Sequence, residues 1–300
     1  MKKIFLYITT GILFFASCEK DITVDLPKPD SQIVVEGYIE AGPILLSTLP
    51  YAVPRVFISY SQAYFAPFDS TSLINSGVKN ATVTISNGTV TETLVPPFPE
   101  FGYLYAPDSS QVFNMIGEAG KDYSLKITTE DGKTITAHTH IYPPIPLDSI
   151  WFKVQPGLDS LGYVWAHLND PDTLGNIYRW FAKRIGKDKD FIAPFGSIFE
   201  DKFINGQSFD FAYNRGQIPN SIAEDDKNDE QGYFKAGDTI VIKFCTVGRE
   251  SFDFWRTAET QYSNNGNPFA ATTNIQSNIT GGLGIFEGYS ATYDTVIAKK

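Results

Sequence analysis

The sequence predicts a mainly β protein: an N-terminal immunoglobulin-like β-sandwich followed by a second β-rich domain carrying one amphipathic helix. Three observations predict it. Short apolar stretches alternate with a period of two, the period at which side chains return to one face of a strand. Asn-Gly and Asp-Gly pairs punctuate those stretches and supply the positive φ angles of tight hairpin turns. Aromatic residues are plentiful, with 23 Phe and 16 Tyr, and they suit a pleated, half-buried surface.

The first segment opens with Ile33-Val34-Val35-Glu36-Gly37-Tyr38-Ile39 and Val56-Phe57-Ile58-Ser59-Tyr60, both strand-like. Ala81 to Ile85 alternates strictly, Ser86-Asn87-Gly88-Thr89 turns the chain, and Val90 to Val95 returns. A second hairpin pairs Tyr123 to Ile127 with Thr134 to Ile141 across Asp131-Gly132-Lys133. Residues 31–142 thus fill one sandwich of immunoglobulin-like size. Pro143-Pro144-Ile145-Pro146 is a stiff boundary, which holds two domains apart or lets the chain cross from one sheet to another. Beyond it, Leu147 to Val154, Gly162 to Leu168 and Ile177 to Arg184 read as strands, the last with basic residues on its open face. Asp238 to Val247 is a further strand. Glu250 to Tyr262 has helical periodicity, with Phe252, Trp255, Glu259 and Tyr262 near one face. The tail from Ile279 to Val296 is glycine-rich, then strand-like. Residues 147–300 make the second domain.

Ahead of both lies Met1-Lys2-Lys3, an apolar and hydroxylic run from Ile4 to Phe15, and then Ala16-Ser17-Cys18. The run covers about 12 residues, short of the roughly 20 that span a bilayer. The order reads as a lipoprotein signal peptide, residues 1–17, with Cys18 as the lipidation site. Residues 18–30 form a polar, proline-containing tether. Acyl chains on Cys18 add about 0.8 kcal/mol of membrane affinity per buried methylene.

The formal net charge of -10 repels phosphate backbones and excludes nucleic acid as a partner. With Cys18 lipidated, Cys245 has no disulfide partner, and its strand context reads as a small buried hydrophobe. His138 and His140 share one strand face at a spacing that suits a metal, but two ligands do not make a site. Asp226, Asn228 and Glu230 have the odd-numbered spacing of a calcium loop, yet Gln231 stands where the turn needs glycine. Asp170-Pro171-Asp172 reads as a turn. Serine-hydrolase, zinc-protease, phosphate-loop and dinucleotide motifs are all missing, and no cofactor is called for. Two aromatic clusters remain as ligand-binding candidates: Tyr60, Tyr64, Phe65 and Phe68, and then Phe98 and Phe101 with Tyr103 and Tyr105. Exposed rings of this kind stack on sugars or pack against a partner.

The tail Gly266-Asn267-Pro268-Phe269, Ile275-Gln276-Ser277-Asn278-Ile279 and Gly281-Gly282-Leu283-Gly284-Ile285-Phe286-Glu287-Gly288-Tyr289 resembles the C-terminal signature of a Bacteroidota outer-membrane lipoprotein family (domain of unknown function 4249). Asn169-Asp170-Pro171 with Asn176-Ile177-Tyr178-Arg179 is similar to its central motif, and Ser31 to Gly37 and the hairpin at Gly120 to Lys133 also fit. The resemblance implies an outer-membrane lipoprotein, often encoded near TonB-dependent receptors, and supplies no catalytic residues. The expected function is a non-enzymatic binding or accessory subunit working with a TonB-dependent transporter. The alternatives are a surface hydrolase of glycan or peptide and a cell-surface adhesion module. The tail glycines and Asn278 read as corners that define the fold.

Overall fold

In the computed structural model, the described residues are 30–42, 53–62, 70–108, 110, 115–216, 230, 232–264, 271 and 273–299. Cys18, the tether up to Pro29, Tyr64, Phe65, Phe68, Asp226, Asn228 and Asn267 lie outside them. The first half of the chain forms β1 (Ile33–Ala41), β2 (Arg55–Tyr60), α1 (Ser70–Ser76), β3 (Thr82–Ser86), β4 (Thr91–Leu94), β5 (Leu104–Tyr105), β6 (Asp122–Thr128) and β7 (Thr134–His140). The second half forms β8 (Ser149–Val154), β9 (Leu161–Asn169), β10 (Ile177–Arg184), β11 (Ile198–Glu200), β12 (Ser208–Tyr213), β13 (Phe234–Lys235), β14 (Thr239–Thr246), α2 (Arg249–Ser263) and β15 (Leu283–Ile297). The protein is mainly β, as expected. Both predicted hairpins form, as β3–β4 and β6–β7, with Gly88 and Gly132 at φ of 85° and 81°.

Among the described residues the strands form three sheets. A seven-stranded sheet runs β11-β10-β14-β15-β1-β2-β5. A four-stranded sheet runs β4-β3-β6-β7, and another joins β12-β9-β13 with β8, which also pairs β9. One face of the large sheet packs on both small ones. Val35, Ile39, Val56, Ile58 and Phe286 close a core with Val83, Ile85, Leu125, Ile127 and Ile135. Tyr178, Trp180, Ile240, Ile242 and Phe244 close another with Val164, Ala166, Leu168 and Phe211. Each large apolar side chain buried in this way stabilises the fold by about 1.5–3 kcal/mol. Residues 141–148 carry the chain from one small sheet to the other. The segments 31–142 and 147–300 therefore contribute one small sheet each and share the large one, and Ser31–Lys300 form one compact unit.

β15 makes that sharing possible. Leu283 to Ser290 pairs in parallel with Val34 to Ala41 of β1, and Ser290 to Ile297 pairs antiparallel with β14. The parallel half needs close backbone approach. Gly284 holds φ of +113°, and a Cβ there would stand 1.8 Å from the Val35 carbonyl oxygen. Asn278 fixes the entry to β15 by imitating a backbone. Its Oδ1 accepts the Phe286 N–H at 2.9 Å, and its Nδ2 donates to the Phe286 and His138 carbonyls at 2.7 and 3.1 Å. Among the described residues no helix is long and apolar enough to cross a membrane.

Candidate functional site

The second face of the large sheet is built differently from the first. Strand alternation sends Glu36, Tyr38 and Glu40 of β1 to this side, together with Glu287, Tyr289 and Tyr293 of β15, Lys243 and Cys245 of β14, and Arg179 and Phe181 of β10. The register sets Tyr38 beside Glu287, Lys243 beside Tyr293, and Arg179 beside Cys245. Helix α2 lies over part of this face and packs Phe252 and Trp255 onto it. It starts after Gly248 in extended conformation, and the Glu250 carboxylate in its first turn accepts a 2.9 Å hydrogen bond from Thr139 of β7.

Among the described residues two buried charge networks form on this face. Arg179 Nη1 donates to Glu287 Oε1 at 3.2 Å and to the Tyr289 hydroxyl oxygen at 2.6 Å. Trp255 Nε1 donates to the same carboxylate at 3.0 Å, and the Tyr289 hydroxyl donates to it as well. The guanidinium sits 3.7 Å from the Trp255 ring centre and 4.7 Å from that of Phe181, where ring faces attract cations. In the second network Lys243 Nζ and the Tyr293 hydroxyl each donate to one oxygen of Glu40. Burial works against the charge on Lys243, but Glu40 outweighs it and holds the ammonium pKa above its ordinary value. Withdrawing ions from water costs several kcal/mol each, so such pairs persist only with full hydrogen bonding, which both carboxylates have.

Glu36 differs from them. It is exposed, yet desolvation raises its pKa, with a further upward push from Glu287 and a smaller downward one from Arg179. Its cross-strand neighbour is Phe57 of β2, whose ring packs at 5.4 Å on Tyr103 just ahead of β5. Burial raises the Tyr103 phenol pKa, and the charge of Glu36 raises it further.

Of the residues singled out from sequence, Cys245 and Tyr103 belong to this region and the others lie elsewhere. Tyr60 ends β2 and is 39% exposed. Phe98 and Phe101 sit between β4 and β5, 59% and 36% exposed, with ring centres 6.2 Å apart. Tyr105 is fully buried, its hydroxyl donating to the Val78 carbonyl at 2.8 Å. His138 and His140 do share a face, but each meets its partner on β6, Ser124 at 2.9 Å and Asp122 at 2.7 Å. Asp170 accepts from the Tyr178 hydroxyl and from the Gly206 N–H at 3.0 Å, so its oxygens brace the turn. Glu230 accepts from Arg184 at 2.8 Å. Burial pushes the Cys245 thiol up to about 12, which keeps it protonated and inert. Among the described residues no group of three or more His, Cys, Asp or Glu is placed to hold a metal.

One reading of the strands needs correction. Two of the three basic residues of β10 do not face solvent: Arg179 and Arg184 are 5% and 7% exposed, because β10 lies inside the sheet and is covered at those positions, while Lys183 is half-buried. The residues missed from sequence are Glu36, Glu40, Arg179, Lys243 and Glu287. Their signal is a set of charges at alternate positions of strands otherwise apolar.

A comparison with curated proteins finds no match. A family model does match, over residues 19–295, and the chain belongs to the family described as Domain of unknown function (DUF4249).

Proposed function

We propose that the protein is a lipid-anchored binding or accessory subunit of the outer membrane, non-enzymatic, working with a TonB-dependent transporter through the charged and aromatic face of its large sheet. The observation that carries this reading is Glu36 on β1, exposed and without a hydrogen-bond partner among the described residues, on a strand that begins directly after the expected tether. A site fed by a short anchor and built on a rigid sheet suits capture and hand-over at a membrane. The lipobox at Cys18 and the resemblance of the tail to outer-membrane lipoproteins support the location. A hydrolase would need two carboxylates free to face one scissile bond. Glu287, the acid coupled to Glu36, is held by Arg179, Trp255 and Tyr289 instead.

Two measurements test the proposal. Palmitate labelling with membrane fractionation is expected to succeed for the natural chain and to fail for Cys18→Ala. Gentle detergent extraction is expected to bring down a large β-barrel protein with the acylated chain, and consistently solitary elution would overturn the transporter partnership.

A further inference from the structure

We infer that the outward face of the sheet formed by β8, β9 and β12 is a stacking platform for a neutral glycan, which lays the flat C–H faces of its sugar rings on Trp151, Trp165 and Tyr163. It is a different surface from the charged face of the large sheet and does not depend on the role given to that one.

Strand alternation builds the face. Val164, Ala166 and Leu168 of β9 are buried in the core, so Tyr163, Trp165 and His167 point the other way and are only half-buried. The register sets Trp151 of β8 on one side of Trp165 and Ala212 of β12 on the other. Lys153 stands beside Tyr163, and Ser149 and Asp210 stand on either side of His167. The two indole rings are nearly parallel, 19° apart in plane and 6.3 Å between centres. Tyr163 extends the row to Tyr233, just ahead of β13, at 24° and 5.0 Å. Ala212 carries only a methyl group, so the β12 side of Trp165 has no tall neighbour in that row.

These aromatics are not needed to close the core, because the opposite face of the same strands does that. Among the described strands β8 pairs with β9 alone, and an aromatic row reaching such an edge invites chance strand pairing. A row of that kind marks a contact surface. Its polar border says what the contact is. The two carboxylates there are engaged: Asp210 pairs with His167 Nδ1 at 2.6 Å, and Asp148 accepts the Asn169 N–H at 2.9 Å. Asn169 in turn accepts from the Ser208 hydroxyl. Neither acid calls for a cation. Lys153 holds its ammonium 5.3 Å from the centre of the Trp165 ring, where the ring face attracts it, and an exposed lysine on an edge strand is free to swing aside. The border thus offers hydroxyl, amide and imidazole groups around apolar rings, with no excess of one charge. A few polar groups placed around aromatic area fix the orientation of a ligand. Here they fit one that is uncharged, apolar on its ring faces and hydroxylated at its ring edges, which describes a sugar chain. An apolar helix would cover the rings but leave the border groups unmatched.

Calorimetry and tryptophan fluorescence on the full acylated chain test this, in a detergent that carries no sugar. Cellohexaose, xylohexaose, mannohexaose and maltohexaose are the neutral probes, and hexagalacturonate is the anionic one. At least one neutral probe is expected to bind and to shift the emission. Trp165→Ala should weaken that binding about tenfold or more, as loss of a central aromatic anchor does. Trp165→Phe keeps a ring and should retain more affinity than Trp165→Ala. Trp151→Ala, on the edge strand, should weaken binding as well and serves if the change at Trp165 disturbs folding, which circular dichroism and melting curves report. Lys153→Ala should leave affinity for the neutral probe unchanged or raise it, because the ring face is then uncovered. Failure of all four neutral probes, or unchanged affinity in both folded tryptophan variants, overturns the inference. So does binding of hexagalacturonate alone with loss in Lys153→Ala, which assigns the face to an anion. Loss of barrel co-purification in Trp151→Ala without any glycan binding assigns the face to a partner protein and overturns it too. Success of the barrel co-purification in the natural chain bears on the transporter partnership alone.

Discussion

Replacing Lys243 with Met is the sharpest probe of the buried networks. The side chains have similar reach, so the change removes charge more than volume. Glu40, 1% exposed, would keep the Tyr293 hydroxyl but lose its cation. Breaking a buried pair from one side costs about 3–5 kcal/mol, a large part of the roughly 5–15 kcal/mol that holds a typical protein folded. With a urea slope near 3 kcal/mol/M, at the upper end for small proteins, the midpoint should fall by about 1–1.7 M. Tryptophan fluorescence reports it, since Trp180 is buried in a core and Trp255 is half-buried in the neighbouring network. The triple change Lys243→Met, Glu40→Leu, Tyr293→Phe removes every member of the network and should recover most of the loss, because an apolar filling replaces all the buried charge. A single variant that loses less than about 1 kcal/mol, or a triple variant no better than the single one, would refute the view of this pair as a dry, interdependent unit.

Other changes test the remaining structure. Gly284→Ala meets both a positive φ and a backbone oxygen 1.8 Å from the new Cβ, so it should destabilise by about 3 kcal/mol or more. Gly88→Ala, also at positive φ but with nothing within 4 Å, should cost only about 1 kcal/mol, and paired melting curves read the contrast. Asn278→Ala leaves the Phe286 N–H without its partner and should cost about 1–3 kcal/mol, measured by urea unfolding. In a Cys18→Ser background, Cys245 should resist maleimide in the folded chain and react on denaturation, and rapid native labelling would contradict its burial. Glu36→Gln should also change the pH profile. A folded-state pKa above the unfolded one gives stability that is full below the unfolded value and fades as pH rises through the folded value. The natural chain should therefore lose stability over that rise, and the variant should lose less.

Much of this fold was legible because its signals are local. Asn87 illustrates it: its side chain accepts from the N–H groups of Thr89 and Val90 at 3.0 and 2.8 Å, so the turn is written in the residues that make it. Alternation likewise located β1, β6, β7 and β9, and helical periodicity located α2. Sheet order was not legible, because no local signal tells β1 that its neighbour lies some 250 residues away. That gap explains the misreading of β10. Arg179 and Arg184 stand on opposite faces of β10, and a basic residue marks a solvent face only where the neighbouring elements leave that face open. It also hid the site. Glu36, Glu287 and Arg179 sit on three strands, and their signs become meaningful only once those strands share one face of the same sheet. The exposed rings at Phe98 and Phe101 attracted notice because hydrophobic residues in a loop are visible without any topology.

The pairing of β1 on both sides has a mechanical consequence. With β15 running alongside it in the same direction and β2 in the opposite one, tension applied at Ser31 pulls along the strand axis. The ladders on both flanks then share the load and must slip together, where a hairpin pulled from its open end would peel one bond at a time. A body tugged by its amino terminus would thus resist drag at the point where the force enters.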